Sequence, residues 1–342
     1  MNSITVLGID LAKTRFDLFG CDALGKVQVS KPVSRQKLTE EVVKRAPQLV
    51  AMEACGGAHH WARRFRQAGL KVRLISPQHV KPFRLGPSKD DRADAKAIVT
   101  AATQPLIPSV TVKELWQQDI QFMHRIREDL VTRRTALCNQ YRGFLHECGL
   151  VAPQSIKQLL ALIVSLKDEP SDDVPPMLQR WLTHFHAQYA ELEAEIEMVT
   201  AEIERVAVTN ETCKRLKAIP GIGPITATAL LAYSGDGSSY KNGRQYAASL
   251  GLVPRHVGSG GKTKHLGITK HGDRYIRKLL VHGGRALVMV AGRKPERGHV
   301  VARRLLAQHK PPQKVAVALA NRNARIAWRL IAKGETYDPS RA

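Results

Sequence analysis

The feature that most restricts the fold is the alternation of short apolar runs with amphipathic segments over the first hundred residues. The pattern predicts an α/β arrangement whose first three strands form an antiparallel meander, followed by strands that alternate with helices. The predicted strands are Ile4–Asp10, Arg15–Cys21, Lys26–Val33, Gln48–Ala54 and Leu70–Ser76, and the predicted helices are Gln36–Arg45, Gly57–Gly69 and one that begins at Asp91.

Acidic side chains stand at the ends of these predicted elements. The order β-β-β-α-β-α-β-α is that of the ribonuclease H-like fold, in which the first and fourth strands lie side by side. Asp10 ends the first strand and Glu53 ends the fourth, while Asp91 and Asp94 begin the helix expected across that edge. Clustered carboxylates repel one another unless cations hold them, and Mg²⁺ prefers oxygen ligands. The sequence therefore predicts a Mg²⁺ site formed by these four residues.

Each of these acidic residues also has a structural interpretation. Asp90, Asp91 and Asp94 stand where a helix begins, and negative charge there stabilises the positive end of the helix dipole. Asp10 alone is typical of a turn, and Glu53 alone of a strand end at the surface. The metal interpretation is favoured because Asp91 and Asp94 are three residues apart and so share one helix face. Asp90 is then left as the capping residue.

A long apolar seam marks the middle of the chain. Thr103–Val110 contains prolines and is expected to be a linker, and Val112–Cys148 has helical spacing. A helix that packs within the chain would explain the seam, but the favoured interpretation is a helical hairpin used for dimerisation. The seam residues alternate spacings of three and four, as in a coiled coil: Leu182, Phe185, Tyr189, Leu192, Ile196, Val199, Ile203 and Val206.

Positive charge is concentrated towards the C-terminal end. The 342-residue chain has a net charge of +23, and 16 of these charges lie in residues 254–342. A protein this basic is expected to bind a polyanion, with nucleic acid as the first candidate. Aromatic residues make up only 5% of the chain, which does not favour base stacking as the main mode of binding. The sequence therefore predicts a C-terminal surface that follows phosphates.

Two motifs in the last third fit such a surface. Pro220–Gly223 lies between helical stretches and resembles a helix-hairpin-helix, in which backbone amides near Gly221 and Gly223 would hold a DNA phosphate. A tight turn between packed helices is the alternative. The Gly/Lys-rich stretch His256–Asp273 follows, and then two predicted basic helices. The basic residues expected to contact nucleic acid are Arg255, Lys262, Lys264, Lys270, Arg274, Arg277 and Lys278.

The remaining signals concern the compartment and the histidines. The five cysteines have no C-x-x-C spacing, so a disulfide framework or a zinc site is not expected. No signal peptide pattern is present, and no run reaches the ~18–20 apolar residues of a membrane span. We therefore expect a soluble cytoplasmic protein with no membrane partner. His124, His184 and His186 are expected to be solvated, and His59 and His60 to be partly buried.

Several segments in combination resemble one family of enzymes. They are GIDLAK, MEACGG, DDRADAK, PGIG, GLVPR and a Ser-Gly step before ITKHGDRYIRKLL. Together they closely resemble the DEDD-type insertion-sequence transposases that carry a catalytic serine, also called bridge-RNA-guided recombinases, with the pilin-gene invertases as relatives. The resemblance covers nearly the whole chain. It implies a RuvC-like DEDD domain at 1–105, a helical linker and coiled coil at 106–208, and a mainly helical C-terminal transposase domain at 209–342.

The resemblance also implies residue roles. The four acidic residues become a catalytic Mg²⁺-binding tetrad, and Ser259 becomes the nucleophile, with Thr263 as the alternative. Ser259 has a glycine on each side and basic residues nearby, so DNA can approach closely and a scissile phosphate can be held. A serine in a flexible Gly/Ser loop would have the same neighbours, and the resemblance decides in favour of catalysis.

The predicted function is therefore an RNA-guided DNA recombinase of a bacterial insertion sequence. The family implies donor and target DNA and a structured noncoding guide RNA as partners. It also implies a dimer, and a tetramer formed by a pair of dimers, acting at the nucleoid. A Mg²⁺-dependent junction nuclease or a site-specific DNA invertase is the alternative, and a non-catalytic binding protein is disfavoured because all four carboxylates are present. A covalent protein–DNA adduct would distinguish the recombinase from the nuclease.

Overall fold

The chain consists of an α/β unit followed by a mainly helical unit. The computed structural model describes residues 4–84, 91–259, 262–293 and 299–341. Residues 1–115 form the first compact unit and residues 116–342 the second. The expected combination of an α/β domain with a mostly helical remainder is confirmed at this level.

The first unit is built on a six-stranded sheet of order β3-β2-β1-β4-β5-β6. The strands are β1 (Val6–Asp10), β2 (Arg15–Cys21), β3 (Val27–Ser34), β4 (Leu49–Glu53), β5 (Val72–Ile75) and β6 (Ser109–Val110). β1 is parallel to β4, and β4 is parallel to β5, whereas the other pairs are antiparallel. The predicted adjacency of the first and fourth strands is confirmed. The stretch expected to be a linker ends in β6, which the sequence did not indicate.

Helices cover both faces of this sheet. They are α1 (Leu38–Arg45), α2 (Ala58–Gln67), α3 (Pro77–Val80) and α4 (Asp91–Thr103). Leu7 and Ile9 of β1 belong to the core that contains Trp61 of α2, whereas Val6 belongs to the core that contains Ile98 of α4. Successive strand residues point to opposite faces, so β1 faces a core on each side and is apolar until its last residue.

Gly8 allows α4 to lie directly on β1. A Cβ atom at Gly8 would be 2.5 Å from the Ala95 carbonyl oxygen and 2.7 Å from Val99 Cγ2. Real Cβ atoms do not approach other atoms this closely, so any larger residue would push the helix away from the strand. Because Asp94 precedes Ala95, the contact at Gly8 fixes the position of the acidic start of α4.

The second unit begins with two long helices that run antiparallel, α5 (Leu115–Glu147) and α7 (Pro176–Thr209), with α6 (Ile156–Asp168) between them in sequence. Arg134 of α5 donates from Nη1 to both carboxylate oxygens of Glu193 on α7, at 3.0 and 2.7 Å. Arg127, earlier in α5, donates from Nε to Thr200 Oγ1, later in α7, at 2.8 Å.

The apolar seam of α7 is covered within the chain. Phe185 and Ile196 are buried, and the Phe185 ring lies 4.3 Å from the ring of Tyr141 on α5, centroid to centroid. Packing against α5 is thus sufficient to explain the three-and-four spacing. Dimerisation through this helical hairpin stays a prediction.

The rest of the second unit surrounds a core in which Tyr246 is fully buried. Its helices are α8 (Glu211–Lys217), α9 (Pro224–Ser234), α10 (Gly243–Ser249), α11 (Arg274–Arg293), α12 (Val300–Ala307) and α13 (Pro312–Lys333). The Gly/Lys-rich stretch forms a hairpin of β7 (Pro254–Ser259) and β8 (Lys262–Ile268), which the sequence did not indicate. In the part of the chain that the structure describes, no helix is both long and apolar enough to cross a membrane.

Candidate active site

Asp10 and Glu53 end two adjacent parallel strands on the same face of the sheet. The register pairs Ile9 of β1 with Met52 of β4, so the two carboxylates come next to each other at the carboxyl ends of the strands. Side chains alternate along a strand, and Val6 and Gly8 face α4, which puts Asp10 on that face too. Both acidic residues are half-buried. We call Asp10, Glu53 and Asp94 the carboxylate edge.

Arg84 links two members of the carboxylate edge. Its Nη2 lies 3.1 Å from Glu53 Oε2, and its Nε lies 2.9 Å from Asp94 Oδ1. One guanidinium thus spans a carboxylate from β4 and one from α4. Opposite charges at this distance attract one another. A cation is therefore part of the arrangement that holds these two side chains together.

The thiol of Cys55 gives a second indication that the acidic groups are close together. Burial raises the pKa of the Cys55 thiol, and the negative charges of Glu53 and Asp10 raise it further. Both carboxylates therefore act on the same point, directly after the end of β4. A thiol whose pKa is raised is a weak nucleophile, so Cys55 is not suited to attack a phosphodiester.

The donor atoms of the carboxylate edge are of a type that divalent cations bind. Asp91 is the first residue of α4, one turn before Asp94, and its side chain lies outside the described part of the structure. Among the described side chains, no three His, Cys, Asp or Glu residues form a group ready to hold a metal. The donors that meet here are hard carboxylate oxygens, the type that Mg²⁺ prefers. Arg84 already supplies one positive charge between two of them.

Sequence reasoning did not single out Arg84. It is 31 residues from Glu53 along the chain and belongs to no motif, so no local signal marks it. Only the folding of the chain after α3 brings its guanidinium between β4 and α4.

Ser259 is the last residue of β7, and its backbone pairs with that of Lys262 at the end of the hairpin. Thr263 pairs with Gly258, one step further from the tip. The side chains of Ser259, Lys262 and Thr263 lie outside the described part of the structure. The backbone thus places the predicted nucleophile and its alternative at the same end of one hairpin, in the second unit.

The predicted phosphate contacts divide into two groups. Arg255, Lys264, Lys270 and Arg274 are exposed on or near the hairpin and the start of α11. Arg277, in contrast, donates from Nη1 to the carbonyl oxygens of Leu250 and His271, at 3.1 and 3.0 Å. Its charge therefore helps to fix the loop before α11.

Lys278 also has partners within the chain. Its Nζ lies 2.5 Å from Glu128 Oε1 and 5.1 Å from the centroid of the Tyr275 ring. A lysine held in this way joins α11 to α5. To contact a phosphate, Lys278 would have to break its ion pair with Glu128. In the described contacts, Arg255 and Lys264 have no such ion pair.

The two glycines of the Pro220–Gly223 turn have different surroundings. Gly221 has φ +85°, and a Cβ atom there would be 3.0 Å from the Gly283 carbonyl oxygen of α11. The side-chain amide of Asn323 also donates to the Pro220 carbonyl oxygen at 2.8 Å. This end of the turn is packed against protein. Gly223, which precedes α9, is exposed and leaves the start of that helix open to a ligand.

The expectation that His124 is solvated is wrong. Its ring is buried, with Nδ1 2.9 Å from the Tyr275 hydroxyl and Nε2 3.0 Å from Thr228 Oγ1. Burial lowers the pKa of His124 to about 4, with a further contribution from the positive charge of Arg127. His59 is partly buried, as expected, and its Nδ1 accepts from the Lys113 amide at 3.2 Å. His60 is exposed, so the expectation that it is partly buried is wrong.

Comparison with known proteins covers both units. The transposase family model IS116/IS110/IS902 matches residues 213–307, and the DEDD transposase model for IS110 matches residues 7–149. A probable family 20 transposase of Pseudomonas aeruginosa is 41% identical over 98% of this chain and 99% of its own length. The transposase for insertion sequence element IS1111A of Coxiella burnetii is 38% identical over 98% of this chain and 92% of its own. A pilin gene-inverting protein of Moraxella lacunata is 24% identical over 98% of each chain.

The matched regions include residues predicted to be catalytic in each of the two units. The carboxylate edge lies within residues 7–149, and the hairpin that carries Ser259 lies within residues 213–307. Transposases cleave and rejoin DNA, and a DEDD domain is the kind of acidic site that takes a divalent metal. Since the similarity extends over nearly the whole length of both transposases, the chain belongs to the IS116/IS110/IS902 family of insertion-sequence transposases.

Proposed function

We propose that the protein is an RNA-guided DNA recombinase that mobilises its own insertion sequence. The observation that carries the proposal is the carboxylate edge, where Asp10 and Glu53 end adjacent strands and Arg84 joins Glu53 of β4 to Asp94 of α4. An acidic group of this kind in a DNA transposase is suited to phosphodiester chemistry. The strand order and the edge also support a RuvC-like assignment of residues 1–105.

The roles of the residues follow from their chemistry. Asp10, Glu53, Asp91 and Asp94 hold Mg²⁺, which would supply a Lewis acid to polarise the scissile phosphate. The Ser259 hydroxyl oxygen forms a bond to phosphorus, and the bond from phosphorus to the departing sugar oxygen breaks. The serine proton leaves to a base, and the departing oxygen takes up a proton. The product is a covalent phosphoserine link.

The exposed basic side chains around the hairpin would position the DNA. Arg255, Lys264 and Lys270 lie on or beside the two strands, where their charges can hold phosphates next to Ser259. Contacts of this type position the backbone without reading its sequence. Base pairing with a structured noncoding guide RNA would then select donor and target DNA, as the family resemblance implies.

The proposed assembly is a dimer that pairs into a tetramer. After the RuvC-like domain, each protomer of the proposed assembly has a helical linker and coiled coil at 106–208 and a C-terminal transposase domain at 209–342. In this assembly the acidic tetrad of one protomer acts with Ser259 of another. The base that activates the serine would then come from the acidic site of the partner chain.

The test is a denaturing gel of the protein with labelled, nicked suicide DNA, guide RNA and Mg²⁺. We expect a DNA-linked protein band in the wild type and none with Ser259→Ala. A band that persists in Ser259→Ala but disappears in Thr263→Ala would move the nucleophile to Thr263. Cleaved DNA without any linked band would contradict serine attack and support a Mg²⁺-dependent junction nuclease, in which water attacks.

A further inference from the structure

A groove in the second unit is lined by arginines that the proposed chemistry does not use. It has a volume of about 750 Å³ and lies among the start of α10, α12, α13 and the segment after α13. Its walls carry Arg244 from α10, Arg304 from α12, and Arg322, Arg325 and Arg329 from α13. We call it the arginine groove. It contains neither the carboxylate edge nor the Ser259 hairpin.

Most of this charge is not balanced within the groove. Arg329 pairs with Glu335 at 2.7 Å, and the other acidic residue of the wall, Asp338, accepts from the Ser340 amide at 2.9 Å. Among the described residues, no carboxylate pairs with Arg304, Arg322 or Arg325. The groove therefore keeps a surplus of positive charge after its internal ion pair is counted.

The arginines also act on one another. Burial lowers the pKa of Arg322, and the positive charges of Arg304 and Arg325 add to that effect, while Tyr337 opposes it. Like charges held together in a partly enclosed space are unfavourable unless an anion joins them. Planar guanidinium groups on several walls match the oxygens of phosphate, which they can contact in pairs.

We propose that the arginine groove binds the sugar–phosphate backbone of one nucleic-acid strand, at a site separate from the catalytic residues. A volume of 750 Å³ is within the range of small-ligand clefts, so it fits a short stretch of one strand. A DNA transposase has such strands among its partners, and the proposal rests on the proposed function only in that respect. RNA and DNA present the same phosphate chemistry, and separate probes distinguish them.

The test measures binding of the full-length protein to fluorescein-labelled oligouridylate and oligothymidylate of equal length, as a function of salt. Arg304→Gln is compared with Arg303→Gln, because Arg303 is an exposed neighbour on α12 outside the groove. For each lost phosphate contact on a single strand, the slope of log K against log salt concentration should become less negative by about 0.7. At 0.1 M salt this corresponds to about fivefold weaker binding.

We expect Arg304→Gln and Arg322→Gln to weaken binding in this way and Arg303→Gln to leave the slope near that of the wild type. Preference for the uridylate or the thymidylate probe identifies the strand as RNA or DNA. Equal effects of Arg303→Gln and Arg304→Gln, or no effect of either, would overturn the proposal.

A melting curve separates a lost contact from a damaged fold. Removal of one crowded charge by Arg322→Gln should leave the melting temperature of the free protein unchanged or raised, whereas a structural role would lower it. Asp94→Asn tests the proposed function separately, since Asp94 lies outside the groove. Recombination that survives in Asp94→Asn would contradict the proposed function. A wild-type salt dependence in Arg304→Gln would contradict the arginine groove, so the two failures are distinguishable.

Discussion

Arg84 is the residue that links Glu53 and Asp94 of the carboxylate edge. Its side chain is 40% exposed, while those of Glu53 and Asp94 are 17% and 26% exposed. The guanidinium therefore sits at the mouth of the acidic site, where it neutralises charge that would otherwise accumulate. In the proposed function the same carboxylates would hold Mg²⁺, which would supply positive charge at the same place.

Arg84→Ala should lower the stability of the metal-free protein. Addition of Mg²⁺ should then reduce the difference in stability between the variant and the wild type. Partly exposed ion pairs contribute about 0.2–1 kcal/mol each, so the loss of two should lower the free energy of unfolding by about 1 kcal/mol. Differential scanning calorimetry in EDTA and in Mg²⁺ measures both states. Lys96→Ala, at an exposed position of α4, is the matched control. A difference from wild type that is the same in EDTA and in Mg²⁺ would contradict a shared role of arginine and metal.

His124 predicts a pH dependence of stability. Its folded-state pKa of about 4 is below the ordinary value of 6.5, so the unfolded chain takes up a proton at higher pH than the folded chain. Its contribution is fully present above pH 6.5 and is lost as pH falls from 6.5 towards 4, by up to about 3 kcal/mol.

Chemical denaturation between pH 7.5 and 4.5 tests this expectation. His124→Gln should flatten the pH dependence of the second unit, because glutamine can hydrogen-bond but does not titrate. His184→Gln, at an exposed position, should leave it as in the wild type. Burial likewise lowers the pKa of His59 to about 4, so His59 contributes a pH dependence in the first unit that His124→Gln leaves unchanged. If the stability of His124→Gln depends on pH as steeply as that of the wild type, burial does not hold the His124 ring neutral.

At the scale of elements, the contact of α4 with β1 decides whether the acidic groups meet. Gly8→Ala should displace α4, because the added Cβ atom would lie 2.5 Å from the Ala95 carbonyl oxygen. We expect weaker Mg²⁺ binding by calorimetry and loss of DNA cleavage. Gly56→Ala adds the same methyl group where no atom lies within 4 Å, so it should bind Mg²⁺ normally. Equal Mg²⁺ affinity in both variants would mean that α4 does not set the site.

The seam of α7 makes a second prediction at this scale. Ile196 is 4% exposed within a single chain, whereas Met198 is 63% exposed. Ile196→Asp should lower the melting temperature strongly at every protein concentration, since an unpaired charge would be buried between α5 and α7. Met198→Asp should have little effect. If Ile196→Asp instead alters only the mass measured by light scattering, the seam is a contact between protomers.

At the scale of the whole molecule, the proposed assembly predicts complementation. Asp94→Asn and Ser259→Ala should each be inactive alone, because each removes one half of the proposed site. When the two variants are mixed before assembly, a fraction of the mixed oligomers has an intact tetrad facing an intact serine. DNA cleavage should then reappear, and titration of the ratio should give a maximum near equal amounts. No recovery at any ratio would mean that the two halves act within one chain.

The sequence alone was sufficient for most elements of the first unit and for the adjacency of the two strands that end in Asp10 and Glu53. Strand alternation, helix-stopping glycines and short connections are local signals, so β1 to β5, α1, α2 and α4 follow from the pattern. The first and fourth strands were predicted to lie side by side, and the pairing of β1 with β4 confirms that adjacency. The transposase family was also readable from the motifs, as the family matches confirm.

The tertiary structure alone decided what depends on contacts between distant segments. Three such features leave no periodic trace in the sequence. They are the burial of His124, the position of Arg84 between Glu53 and Asp94, and the groove formed by α10, α12 and α13. The seam of α7 shows the same limit, because a spacing of three and four specifies an apolar helix face but not the partner that covers it. Periodicity records which side of an element avoids water, whereas charge pairing and enclosure depend on which elements pack together.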